Sequence, residues 1–153
     1  MGKNIVVVDI DGTLSRPGER LKYIKQEPKD WDAFYEDCFE DEPIYPILEL
    51  VVRLEKAGYL ILFCTGRREC CRKKTEFWFY QNMRELCDHT LLMRKDGDER
   101  EDTEVKPELL HDLFNRSLMT KDDVALILED RSSMVKKWRE LGYTCLQVAE
   151  GDF

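Results

Sequence analysis

Two aspartates one residue apart close a short apolar run, Val6-Val7-Val8-Asp9-Ile10-Asp11-Gly12-Thr13-Leu14, and their spacing is suited to chemistry. In an extended backbone a separation of two puts both carboxylates on one side. Asp9 can then attack a phosphorus in line while Asp11 reaches the leaving oxygen, a nucleophile and a general acid from one segment. An Asp-Gly hairpin turn is the competing use of such a sequence. It is disfavoured because Arg16, Pro17 and Gly18 follow Leu14 where an alternating partner strand would begin. A second acid pair closes the run Leu126-Ile127-Leu128-Glu129-Asp130-Arg131. If the two runs are neighbours in a sheet, their carboxylates repel. A hard divalent cation relieves that repulsion, takes oxygen ligands and neutralises a phosphate, which makes magnesium the natural choice.

A third run, Phe63-Cys64-Thr65-Gly66-Arg67, ends in a hydroxyl and a glycine. Thr65 and the backbone donors near Gly66 can hold phosphate oxygens. Thr65 can also cap the helix that follows. Lys106 precedes Pro107 at a predicted helix start, where proline is tolerated and a cation can face both a phosphate and Asp9. The basic residues Arg67, Arg68, Arg72, Lys73 and Lys74 gather just after the third run, a pattern that usually marks a solvated helix face.

These residues need a scaffold. Strands are predicted at Ile5 to Val8, Tyr59 to Cys64, Leu91 to Met93, Val124 to Leu128 and Thr144 to Val148. Helices with apolar residues at three- and four-residue spacing are predicted at Ile47 to Ala57, Arg68 to Met83, Lys106 to Phe114 and Ser133 to Leu141. Gly58 and Gly142 sit just past helices, where a left-handed cap is expected. Alternating strands and helices imply an α/β fold with a central parallel sheet. Right-handed crossovers give the order 3-2-1-4-5 for its five strands and put the switch point beside Asp9. Residues 15–46 interrupt the alternation as an insertion over the site. Within it Trp31, Phe34, Tyr35 and Phe39 recur at helical spacing, the pattern of a small cap's packing face.

The 153 residues, 42% hydrophobic and 37% charged, suit one compact domain spanning 1–153. The first apolar stretch is too short and too early for a secretory signal, and no stretch approaches the roughly 20 residues that span a bilayer, so a cytoplasmic protein without membrane association is expected. Six cysteines without CxxC spacing and two histidines argue against structural zinc. A net charge of −8 argues against tight binding along a long nucleic acid, while a terminal phosphate remains a suitable substrate.

The segment Asp9-Ile10-Asp11-Gly12-Thr13 resembles the first motif of the haloacid dehalogenase superfamily. The resemblance implies a Rossmannoid three-layer sandwich with a small helical cap. The second acid, Asp11, implies phosphoryl rather than dehalogenase chemistry. By the family pattern the Asp9 carboxylate, the Asp11 main-chain oxygen and Asp130 hold Mg2+. Glu129 stands where relatives have aspartate and is either a ligand or the partner of Lys106.

Over nearly its whole length the chain is also similar to the 3′-phosphatase domains of polynucleotide kinase/phosphatases. The similarity is carried by the Asp9 motif, Thr65-Gly66-Arg67, the run from Gly97 to Lys106 and the ending Gln147-Val148-Ala149-Glu150-Gly151-Asp152-Phe153. It implies that Arg20 and Arg67 assist the phosphate and that Asp102 supports Lys106. Arg67 at a strand end can donate in bidentate fashion to a phosphate, and Asp102 can lie one helical turn from Lys106. The chain has no GxxxxGK[ST] loop, so no kinase domain is expected within it.

The expected activity is therefore hydrolysis of a phosphomonoester through an aspartyl-phosphate, on a phosphorylated nucleic-acid end or nucleotide. The alternatives are a nucleoside-monophosphate or general small-molecule phosphatase and, outside enzymes, a binding module that has kept the fold. Loss of Asp9, Asp11, Lys106 or Asp130 would mark the last, and all four are present.

Overall fold

A computed structural model describes residues 2–151; Asp152 and Phe153 of the distinctive ending lie outside the described residues. Five strands form one parallel sheet: β1 (Ile5–Val8), β4 (Leu60–Arg68), β5 (Thr90–Arg94), β6 (Val124–Arg131) and β7 (Cys145–Gly151). Its order is β5-β4-β1-β6-β7. Counted along the sheet's own strands, this is third, second, first, fourth, fifth. The labels β2 (Ser15–Arg16) and β3 (Glu42–Pro43) belong to a separate antiparallel ribbon, which joins the two ends of the inserted segment.

The period-2 alternation of buried strands divides the core. Val6 and Val8 face one side with Ile61 and Phe63, under α3 (Tyr45–Lys56) and α4 (Arg72–Asn82). Ile5 and Val7 face the other with Leu62 and Ile127, under α5 (Asp102–Arg116) and α6 (Ser132–Glu140). Each face has one fully buried tryptophan, Trp78 on α4 and Trp138 on α6. A buried side chain of this kind contributes at least about 1.5–3 kcal/mol of transfer free energy. Gly58 and Gly142 follow α3 and α6 at φ +98° and +89°, which supplies the left-handed turn back into the sheet.

The inserted segment carries two short helices, α1 (Lys22–Lys25) and α2 (Trp31–Glu36), with Asp30 capping α2 by accepting from the Ala33 N–H at 2.9 Å. Phe34 and Tyr35 are buried, as a packing face requires, whereas Trp31 is only partly covered.

Two local expectations are corrected. Thr65 caps no helix: β4 runs on to Arg68 through a register shift against β5, and α4 begins only at Arg72. Lys106 is not at a helix start, because α5 opens at Asp102 and holds Pro107 inside it. The acids Asp102 and Glu104 occupy the first turn, where they favour initiation through the helix dipole. The basic run is largely spent on ion pairs, Arg68 with Asp32, Arg72 with Glu69 and Lys74 with Glu36. Among the described residues no helix is long and apolar enough to cross a membrane.

Candidate active site

At the carboxyl ends of β1, β4 and β6 an open cleft of about 990 Å³ is lined by Asp9, Asp11, Thr65, Arg67, Lys106 and Asp130, with the cap helices forming one wall. Asp9 continues the Ile5 and Val7 side of β1, the face that α5 covers. Lys106 of α5 therefore meets it, donating to Asp9 Oδ1 at 2.6 Å and to Glu129 Oε2 at 2.9 Å. Glu129 has the same parity on the neighbouring strand, since Val8 pairs with Leu128. Its other oxygen accepts from the backbone N–H groups of Asp130 and Arg131. Burial works against the Lys106 charge, yet Asp9 and Glu129 raise its pKa well above the ordinary lysine value.

Asp11 lies in a different environment. Arg67 donates to it twice, Nε to Oδ2 at 2.9 Å and Nη2 to Oδ1 at 2.8 Å, and Arg20 Nη2 donates to Oδ1 at 3.1 Å. Burial alone would raise the Asp11 pKa; the two guanidinium groups overcome that and hold it well below the usual carboxylate range. Both arginines also reach Asp41, Arg20 through Nε at 2.7 Å and Arg67 through Nη2 at 3.3 Å. Arg20 further donates to the Phe34 carbonyl and lies over the Phe34 ring, 4.4 Å from its centroid. Arg67 is completely buried and is tied to α4 by a hydrogen bond to Thr75 Oγ1.

Sequence reasoning missed Asp41. It sits between Glu40 and Glu42 near the end of the insertion, an acidic run that reads as solvated surface, and the available signal was its place just before the ribbon strand β3.

Thr65 is buried and accepts from the Arg67 N–H at 3.1 Å, which shapes the loop. The Gly66 carbonyl accepts from Tyr35 Oη at 3.2 Å and from Arg94 Nε at 3.0 Å, so cap and loop are joined. Asp102 does not bond to Lys106. Its carboxylate takes Arg94 Nη2 and Arg131 Nη1, the latter at 3.0 Å, although the Lys106 charge still helps to lower its pKa against burial.

Asp130 completes the set without a cation. Among the described residues it forms no ion pair, and Thr13 Oγ1 donates to its Oδ1 at 3.2 Å while also donating to Asp9 Oδ2 at 3.0 Å. Carboxylate oxygens of Asp9, Glu129 and Asp130 lie within 4.8 Å of one another. Burial, then the charges of Asp9 and Glu129, push Asp130 up to about 9, and burial with Asp9 pushes Glu129 up to about 7. The backbone makes room for this carboxylate: a Cβ on Gly12 or Gly151 would fall 2.2 or 2.1 Å from Asp130 Oδ2.

A doubly wound sheet with this pair of acids just beyond the end of its central strand defines a phosphatase of the haloacid dehalogenase superfamily. More narrowly, the chain belongs to the family described as the polynucleotide kinase PNKP phosphatase domain, whose model matches residues 3–153. It is similar to a chain of the Pnkp1/Rnl/Hen1 complex at 29% identity and TM-score 0.76, covering 99% of this chain and 48% of that one. A chain of the Pnkp1/Rnl/Hen1 RNA repair complex matches at 28% identity and TM-score 0.71, over 97% and 43%. The present chain thus spans just under half the length of those relatives. The D,D-heptose 1.7-bisphosphate phosphatase from B. bronchiseptica, complexed with magnesium and phosphate, shares the fold at 12% identity and TM-score 0.64, over 95% and 79%.

Proposed function

We propose that this chain removes the phosphate from 3′ ends of nucleic acid, with Asp9 as nucleophile and Asp11 as general acid and base. One observation carries the assignment of roles: two acids from one strand end stand in separate electrostatic environments, Asp9 beside Lys106 and the carboxylate cluster, Asp11 within the arginine pair. Such divergence is what distinguishes acid from nucleophile. An Asp9 oxygen attacks phosphorus, the bond from phosphorus to the 3′ oxygen breaks, and Asp11 protonates that oxygen. Water then attacks the phosphoaspartate and gives a proton to Asp11, and phosphate leaves as Asp9 is restored.

Asp11 is charged in the free protein because Arg67 and Arg20 hold it. A phosphate entering the cleft competes for the same guanidinium groups. As they turn to the phosphate, burial is left to raise the Asp11 pKa and let it carry the proton. Lys106 screens Asp9 from Glu129, and Thr65 with the Gly66 backbone lines the phosphate end of the cleft.

The donor set fits magnesium. Asp130 is buried, has no ion-paired cation among the described residues and faces two further carboxylates, the all-oxygen environment a hard divalent ion requires. Asp9, Asp130 and the Asp11 main-chain oxygen would hold the ion, while Glu129 is engaged by Lys106. When bound, magnesium supplies charge neutralisation of the phosphate.

Preference for a 3′ end is supported by membership of the PNKP phosphatase family. The test is turnover with magnesium on a 3′-phosphate oligonucleotide, its 5′-phosphate isomer and an aryl phosphate. The 3′ substrate should be fastest, and equal rates at the two ends would leave only a general phosphatase.

A further inference from the structure

Opposite the catalytic acids, the cleft wall is built by the cap, and its composition is unusual for so acidic a chain. Lys25, at the end of α1, and Lys29, in the turn before α2, are exposed and line the cleft. Among the described residues neither is ion-paired to a carboxylate, whereas Arg68 and Lys74 nearby are. Lys29 Nζ lies 5.8 Å from the centre of the Trp31 ring.

Trp31 itself packs against two aromatic rings of its own helix. It stacks on Tyr35 at 6.0 Å and 22° and meets Phe34 edge-on at 5.8 Å, while one part of it stays open to the cleft. Tyr35 is fastened to the phosphate loop through Gly66, and Phe34 lies under Arg20, which binds Asp11. A ring docked on Trp31 is therefore two contacts from the group that orients the general acid.

Resting on the nucleic-acid reading above, we propose that this wall is the nucleoside subsite: the base of the terminal nucleotide stacks on Trp31, and the adjoining phosphodiester meets Lys25 and Lys29. Stacking accepts any base because every base has a π face, and two lysines give the charge needed for one or two backbone phosphates. The occupant is a single-stranded end a few nucleotides long.

Trp78 and Trp138 are buried at 0% and 1% exposure, so quenching of tryptophan emission by a ligand reports Trp31. In an Asp9→Asn background, a 3′-phosphorylated trinucleotide should quench the emission, and the quench should vanish when Trp31→Phe is added. Persistence of the quench in that double variant overturns the proposal, as does calorimetric binding of the trinucleotide without any quench. In the active protein, Trp31→Ala should lower kcat/KM for the trinucleotide about tenfold or more relative to aryl phosphate. Trp31→Phe, which keeps a stacking ring, should restore most of that ratio. Lys25→Ala with Lys29→Ala should flatten the salt dependence of trinucleotide KM by about one phosphate contact. If the wild type prefers the trinucleotide yet all three variants keep its ratio and salt slope, the subsite is wrong and the phosphatase reading stands. If the wild type itself shows no preference over aryl phosphate, the nucleic-acid reading fails and takes the subsite with it.

Discussion

Arg67 grips Asp11 through two parallel hydrogen bonds of 2.9 and 2.8 Å, and it does so without any exposure of its own to solvent. A buried guanidinium of this kind serves geometry and charge together. Arg67→Lys keeps the charge and loses the fork, so turnover should fall on the order of 10²-fold on every substrate, nucleotide or aryl. Parallel kinetics on the two substrate classes check this; loss confined to nucleotides would place Arg67 in leaving-group recognition instead.

Asp41 accepts from both Arg20 and Arg67 and is itself buried. Asp41→Asn leaves two buried cations with one acid, which should cost about 3–5 kcal/mol in urea unfolding. Because Asp41 acts by positioning the arginines, the surviving protein should also show a raised KM for phosphate substrates. A near-wild-type unfolding midpoint would show the pairing to be dispensable.

Asp9→Asn preserves an oxygen that can accept from Lys106 and removes the carboxylate proposed as nucleophile. Turnover should drop at least on the order of 10³-fold while circular dichroism stays unchanged. Acid-quenched wild-type protein should carry one added phosphoryl group by mass, and the variant none. Phosphoryl labelling that survives the substitution would move the nucleophile elsewhere.

Burial and the neighbouring Asp9 charge favour the neutral forms of Asp130 and Glu129, pushing them up to about 9 and about 7. In the metal-free protein the folded state then keeps protons that the unfolded chain releases near the ordinary carboxylate pKa of about 4. This contribution to stability declines as pH rises from there toward 9. A divalent ion held by Asp130 binds its ionised form, so the rise in Tm on adding magnesium should grow with pH over that range. Melting curves with magnesium or a chelator, from pH 5.5 to about 9, measure it; a gain that shrinks with pH would show that Asp130 does not hold the ion.

Gly151→Ala places a methyl group about 2.1 Å from Asp130 Oδ2, too close for either to stay. The required magnesium concentration should rise by on the order of tenfold, with recovery of turnover at high magnesium. Unchanged magnesium dependence would free the end of β7 from any role in the site.

The order of the sheet and the place of the site were legible in the chain because both depend on local patterns. Buried strands are apolar runs, right-handed crossovers restrict their order, and acids closing two such runs must meet where those runs are neighbours. Asp9, Asp11 and Asp130 were nominated this way and Lys106 by its place before Pro107 and by motif resemblance, and the structure brings all four to one cleft. The division of labour among the charges was not legible, because it depends on register and on contacts between residues far apart in sequence. The pairing of Val8 with Leu128 puts Glu129 on the Lys106 side; a shift by one residue would reverse it. Asp41 reaches Arg67 from 26 residues away through the ribbon, and Asp102 is drawn off its own helix neighbour Lys106 by Arg94 and Arg131. Local spacing can nominate a charged side chain. Which of several competing partners it binds is decided by burial, where each charge must find the geometry that best repays its lost water.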